Sequence, residues 1–294
     1  MMDRRSFLKV SAAGLGAFAL DGAAALPALA KENRLAMFYD NAKCIGCKAC
    51  QMACKQWNKL GPVSTDPQGV YESPEGLAPD AWTLIKLANY PLNDNRDYLF
   101  IKVGCMHCGD PACAAVCPTD ALLKLPNGVV RVDQNLCNGC GYCSKVCPFH
   151  IPQMRVASEL SGEAKTSKCT FCQDRVVQGL RPYCVQSCPA DALDWGDREA
   201  MLTKAKGRLE ALKPDYPQAN LYGENVLGGL GRLYLLLAPP EAYGLPQDPA
   251  FPFGATLWQK VVKPVGQVAF GATALGILAA FFIVRGKVHM EEVE

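Results

Sequence analysis

Short apolar stretches punctuate this chain, separated by long segments dense in proline, glycine and cysteine. Leu35-Ala-Met-Phe-Tyr-Asp40 reads as a strand, and so does Arg232 to Leu237. Thr119 to Leu125 and Val129 to Asp133 flank Pro126-Asn127-Gly128 and together predict a hairpin. Trp82 to Leu87 predicts one strand in an otherwise irregular insertion that carries Pro62, Pro67, Gly69, Pro74, Gly76 and Pro79. An insertion of this length suits contact with a partner, while Trp57 and Trp82 can equally serve as packing residues. Leu202, Ala205, Leu209 and Leu212 share one face between Asp197, a candidate N-cap, and Pro214, which predicts a surface helix to about Lys213. Pro239 to Pro252 reads as an irregular connector.

Both ends of the chain carry apolar runs of another kind. Val265 to Val284 is free of charge and bounded by Lys260, Lys263, Arg285 and Lys287. Its twenty residues cover about 30 Å at helical rise, the thickness of a hydrocarbon core. A buried soluble helix is the alternative, but the terminal position and basic flanks suit a single membrane anchor over 260–285 with a tail at 286–294. Gly266, Gly271, Ala274 and Gly276 offer small-residue faces to another membrane helix. Residues 1–30 combine Arg4-Arg5-Ser6-Phe7-Leu8-Lys9, an apolar Val10 to Leu20 and Ala28-Leu29-Ala30. They read as a twin-arginine signal, against an ordinary secretory signal, and predict export of a folded protein. The cysteine-bearing part is then expected on the periplasmic side of the inner membrane and the C-terminus in the cytoplasm.

Cysteine changes the picture most. All sixteen fall into four runs: Cys44-x2-Cys47-x2-Cys50-x3-Cys54, Cys105-x2-Cys108-x4-Cys113-x3-Cys117-Pro118, Cys137-x2-Cys140-x2-Cys143-x3-Cys147-Pro148 and Cys169-x2-Cys172-x11-Cys184-x3-Cys188. A disulfide framework or zinc sites would also use cysteines, but neither calls for three thiols within seven residues followed by a fourth and a proline. That spacing holds 4Fe-4S clusters, with the fourth cysteine of one run ligating the cluster of the other, so four clusters are expected. The second and third runs, joined by the hairpin, make a complete ferredoxin-like unit. The first and fourth are left to pair across it.

The expected ligand sets are therefore Cys44, Cys47, Cys50 with Cys188; Cys169, Cys172, Cys184 with Cys54; Cys105, Cys108, Cys113 with Cys147; and Cys137, Cys140, Cys143 with Cys117. A rival scheme pairs first with second and third with fourth; Phe149-His150-Ile151-Pro152 after the third run gives it no hairpin like that after the second. Two internal repeats support duplication: a strand ending in Asp40 or Asp133 four residues before a run, and Cys113 to Leu122 matching Cys184 to Leu193. The fold class is α+β, two ferredoxin-like modules, one nested in the other. The outer lobe takes 31–104 and 149–196, the inner lobe 105–148, and 197–259 adds a helix, a strand and a connector.

A net charge of +2 and scattered basic residues argue against nucleic acid. Neither a catalytic triad, a paired-carboxylate motif nor a zinc-protease helix is present, so the chain reads as non-catalytic. His107 and His150 adjoin cysteine runs and could tune a cluster from outside, and His289 reads as solvated. Lys43 and Lys168, each just before a run, could partly offset the charge of anionic clusters, but read rather as solvated surface lysines.

The four runs in this order resemble the four-cluster iron-sulfur subunits of membrane-bound molybdopterin oxidoreductases and hydrogenases, over Leu35 to Val284. Trp57-Asn58, Gly69-Val70-Tyr71, Trp82-Thr83, Gly104-Cys105-Met106-His107-Cys108, Leu221-Tyr222-Gly223 and Gly244-Leu245-Pro246-Gln247-Asp248-Pro249 are similar to the beta subunit of respiratory formate dehydrogenase. The resemblance implies a wire of four clusters, from a molybdopterin catalytic subunit that oxidises formate to a membrane cytochrome b and quinone. In it the pair formed by the first and fourth runs lies nearer the catalytic subunit, and the ferredoxin-like pair of the second and third runs nearer the cytochrome b. A signal on the subunit itself looks more like the counterpart in periplasmic nickel-iron hydrogenases, which implies a hydrogenase large subunit as the alternative partner. A free-standing membrane-tethered ferredoxin is the reading from another class.

Overall fold

The run Ala36-Met-Phe-Tyr-Asp40 shows no alternation because both of its faces are covered: every one of these residues is buried. The computed structural model describes residues 34–63, 71, 73–92, 98–158 and 163–285. The predicted signal segment, the tail after Arg285 and His289 lie outside the described residues.

Ten strands are formed among the described residues: β1 (Leu35–Asp40), β2 (Thr83–Asn89), β3 (Tyr98–Gly104), β4 (Leu122–Lys124), β5 (Val130–Val132), β6 (Gln153–Ser158), β7 (Glu163–Ser167), β8 (Leu193–Asp197), β9 (Asn220–Tyr222) and β10 (Arg232–Leu236). One sheet has the order β8-β1-β10-β9. In it β1 runs antiparallel to β8, with Met37 opposite Trp195, and parallel to β10, with Met37 opposite Arg232. The helix Arg198–Leu212 follows β8 directly and buries Met201, Leu202, Ala205 and Leu212. Its N-terminus is fixed by Asp197, whose Oδ1 accepts from the backbone N–H groups of Glu199 (3.0 Å) and Ala200 (3.2 Å). These elements form the main apolar core with Leu233, Leu235 and Leu236 of β10.

The remaining strands are hairpins. β4 and β5 pair antiparallel about the Pro126-Asn127-Gly128 turn, as the sequence predicts. The insertion differs from expectation, since it carries two strands rather than one: β2 pairs with β3 from Thr83 opposite Gly104 to Asn89 opposite Tyr98. Leu99 and Ile101 are buried on one side of β3 and Lys102 on the other, so the polar-out signal of a strand is missing. A second correction concerns the segment after the third run. β6 and β7 form a hairpin there, starting at Gln153 just past Pro152, so lack of a hairpin is no argument against the rival pairing. Val156 points to solvent beside charged Arg155 and Lys165, which hides the pattern.

Trp82 is part of the internal packing: its Nε1 donates to Ser167 Oγ (2.6 Å) and to the Pro79 carbonyl (2.9 Å), tying the insertion to β7. Arg155 on β6 donates to Asp80 at 2.7 Å across the same seam. At the C-terminus Phe253–Arg285 is one helical rod with a π-turn at Trp258–Val262. Ala255 is wholly buried beside Ala112 and Val116, whereas Lys263–Arg285 buries nothing. Among the described residues it is one helix long and apolar enough to cross a membrane, by length and composition.

Candidate metal centres

The first run begins in a loop shaped by left-handed backbone at Gly46 and Lys48 and ends on the helix Ala49–Trp57. Cys50 and Cys54 are one turn apart on that helix, yet they line different cavities. Cys50 joins Cys44, Cys47 and Cys188 around a space of about 330 Å³, with Tyr39, Ile85 and Lys102 in its wall. Cys54 joins Cys169, Cys172 and Cys184 around another of about 330 Å³, walled by Met37, Thr83, Phe171, Lys102 and Arg232. A third, of about 300 Å³, gathers Cys117, Cys137, Cys140 and Cys143 with Leu122, Val132 and Thr166. The other four cysteines stand together as well, for the charge of Cys105, Cys113 and Cys147 bears on Cys108.

Two glycines allow the close approaches that bring these runs together. A Cβ at Gly109 would lie 2.0 Å from the Gly228 carbonyl, where the second run is strapped to residues 227–231 by Gly109 N–H to Gly229 O (2.8 Å) and Gly231 N–H to His107 O (2.9 Å). Gly139, at φ +76°, would put a Cβ 2.2 Å from the Ala164 carbonyl, so the third run sits tight against β7.

Burial dominates the thiol chemistry. It pushes Cys50 up to about 11 and Cys113 and Cys172 to about 12, and raises Cys54 and Cys108 further still. Such thiols do not ionise alone at neutral pH; they give up their protons to a metal that replaces them. Cys137 is the exception. Burial pushes it up, but the N–H groups of Thr166 and Gly139 and the Thr166 hydroxyl outweigh that and hold it below the ordinary thiol value. Thr166 N–H lies 3.4 Å from Cys137 Sγ, and its Oγ1 lies 3.2 Å from Cys143 Sγ.

Among the described residues no three His, Cys, Asp or Glu side chains are drawn tightly enough together to hold a single metal ion. Four thiols instead surround each of three spaces without closing on a single point, which suits a polynuclear cluster better than zinc. Among the described residues Arg232 Nε and Nη1 and His107 Nε2 are buried without a hydrogen-bond partner, and Arg232 stands in the wall of the Cys54 cavity.

The comparisons agree with the donor set. Two models described as 4Fe-4S dicluster domain match residues 43–121 and 96–198. The chain is 40% identical over 266 residues to the formate dehydrogenase iron-sulfur subunit of Haemophilus influenzae, covering 88% of this chain and 83% of that one. It belongs to the formate dehydrogenase iron-sulfur subunit family. Another relative is the formate dehydrogenase-O iron-sulfur subunit of Escherichia coli K12, 38% identical with 82% and 81% covered. The hydrogenase-2 operon protein HybA of Escherichia coli O157:H7 is 33% identical, with 93% and 94% covered. Sixteen cysteines and two dicluster domains account for four 4Fe-4S clusters. Like this family, the chain is an electron-transfer subunit and not a catalytic one.

Several residues at these centres escape the sequence reading. Lys168 is 3% exposed, not a surface lysine; its Nζ donates to the carbonyls of Val130 (2.5 Å) and Cys169 (3.1 Å). Lys43 and His150 are exposed, whereas His107 is buried, accepting from Val130 N–H at 3.1 Å and meeting Phe171 edge-on at 5.1 Å. Lys102, Thr166 and Arg232 carry no motif, and only their nearness in space to cysteine runs reveals them. Trp57 stacks beside Tyr183 at 5.3 Å and donates to Asp174 at 2.8 Å.

Proposed function

We propose that each cysteine tetrad holds one 4Fe-4S cluster, with Cys44, Cys47, Cys50 and Cys188 in one set and Cys54, Cys169, Cys172 and Cys184 in the next. Cys105, Cys108, Cys113 and Cys147 form the third set, and Cys117, Cys137, Cys140 and Cys143 the fourth. The chain is then an α+β pair of ferredoxin-like modules, the second and third runs nested within the first and fourth. The observation that carries this is the divergence of Cys50 and Cys54 on one helix into two cavities, each completed by the fourth run. A bound cluster supplies one-electron redox chemistry at a potential set by charge, hydrogen bonds and exposure. The chain contributes the thiolates, the exclusion of water and the N–H and hydroxyl donors aimed at sulfur.

In each module one tetrad has an exposed member, Cys47 or Cys140. Ile45 and Met52 are exposed near the first, Leu136 and Tyr142 near the other. These are the points where partner redox centres come within reach. Its relatives are named as subunits of formate dehydrogenases, so formate oxidation is the proposed source of its electrons, with a molybdopterin catalytic subunit as the proposed donor and a membrane cytochrome b as the proposed acceptor. The hydrogenase reading is favoured by one observation, the 94% of HybA that the match covers. A tagged chain that purifies with molybdenum supports the first reading; one that purifies with nickel supports the second.

In Cys188→Ser the signal of one outer cluster is expected to change while both inner clusters keep theirs. Loss of an inner signal instead favours the rival pairing. Residues 260–285 of the C-terminal helix are proposed as the inner-membrane anchor, with the cysteine lobes periplasmic and the tail cytoplasmic. Protease added to intact spheroplasts should digest the lobes and spare a C-terminal tag; the reverse pattern refutes this orientation.

A further inference from the structure

We propose that Lys102 is a buried counter-ion shared by the two outer clusters, holding the midpoint potentials of both up, and that Lys168 plays this part for the Cys105, Cys108, Cys113 and Cys147 cluster. The proposal rests on the ligand sets proposed above.

Lys102 is 0% exposed and stands in the walls of both outer cavities, its Nζ donating to Thr83 Oγ1. Lys168 is placed otherwise than its position in the chain suggests. It directly precedes Cys169, an outer-module cysteine, yet its charge bears on Cys113 and Cys147 of the inner module. Its ammonium is held there by the Val130 carbonyl of the inner hairpin. Among the described residues no carboxylate lies within ion-pair distance of either lysine. A buried ammonium without a counter-charge is costly, and four thiolates around an iron-sulfur core are the anions at hand.

Burial works against the charge on Lys102, so it needs an anion beside it, and the cavities it walls are those lined by Cys50 and by Cys54 and Cys184. Each cluster gains one negative charge when it accepts one electron. A fixed cation beside it, shielded from water and salt, therefore favours the reduced form and raises the potential. The lysine exchanges neither proton nor electron in this step. The tetrad with exposed Cys140 has a different neighbour, Lys165, whose side chain is 26% exposed, so its field is weakened by solvent.

The test is a potentiometric titration followed by electron paramagnetic resonance on the full-length protein in its purified complex, with iron counted in each sample. Cys188→Ser and Cys54→Ser first assign the two outer signals; if those variants alter inner signals, the ligand sets fail before the lysines are tested. With the assignment in place, Lys102→Met should retain sixteen irons and move both outer midpoints negative. A tenfold loss in the reduced-to-oxidised ratio corresponds to about 59 mV for one electron. Lys168→Met should move the Cys105 cluster and leave the outer pair unchanged. No shift in Lys102→Met, or a shift in the outer pair on replacing Lys168, overturns the proposal. Should Lys102→Met lose iron, Lys102→Arg decides: retention of iron and potentials with arginine supports the role of charge, and loss of iron with arginine too assigns the site to shape and overturns it.

Discussion

Asn41 illustrates how much one buried amide can hold together. It is 2% exposed and lies three residues before Cys44. Its Nδ2 donates to the Phe100 carbonyl at 2.5 Å, and its Oδ1 accepts from the Tyr243 hydroxyl at 2.5 Å and from Leu237 N–H at 3.4 Å. Three distant segments are thereby joined beside the first cysteine run. Asn41→Leu removes these bonds, but the Phe100 carbonyl still accepts from the Tyr39 hydroxyl at 2.6 Å and the Leu237 N–H still reaches the Tyr243 hydroxyl at 3.3 Å, so the cost is about 1–2 kcal/mol and roughly 2–6 °C in melting temperature. Loss of cluster absorbance on heating measures it, and an unchanged melting curve would mean that the three segments are held by apolar packing alone. None of this is legible in the sequence, because an asparagine after a strand normally signals a turn. The cysteines are the opposite case: their spacing is imposed by the cluster itself, so Cys44 to Cys188 can be read from the chain alone. Lys168 is misread because a lysine is almost never buried unless something pairs with it, and the sequence does not display the partner.

At the scale of elements, what is legible follows from how many faces a segment buries. The helix Arg198–Leu212 buries one face and begins at a capping Asp, so its start and its apolar stripe can both be read directly. Removing that cap in Asp197→Ala should lower stability by about 1 kcal/mol, with Asp197→Asn close to neutral, as measured by thermal melting of the loaded protein. An equal loss in both variants would trace the effect to the carboxylate's charge and not to its hydrogen bonds. β3 hides because both of its faces are covered, and β6 because an apolar residue points outward among charged ones. The π-turn at Trp258–Val262 leaves no mark in an apolar helical pattern, since it changes hydrogen-bond spacing and not hydrophobicity.

Over the whole molecule the sixteen cysteines divide by exposure. Of the proposed ligand sets, those containing Cys47 and Cys140 each present one exposed thiol, while those containing Cys54 and Cys105 present none. Iron should therefore leave the isolated subunit in two phases when a chelator is added under oxidising conditions, about half quickly and half slowly. Docking of the natural partners should slow the first phase, and a single phase for all the iron would contradict the division. The central strand β1 carries a further consequence, for the order of synthesis. It emerges from the ribosome near the start of the chain, but both of its neighbours, β8 and β10, come from the second half. Until Arg232 to Leu236 has been made, Ala36-Met-Phe-Tyr39 is an unpaired apolar edge, open to association with other nascent chains. The second and third runs adjoin in the chain and can gather early; the cavity shared by Cys54 and Cys169 borrows Arg232 for its wall and must wait. A ribosome stalled late in this message thus leaves a half-matured chain, and a chaperone that shields the first strand would serve this subunit better than one that acts after release.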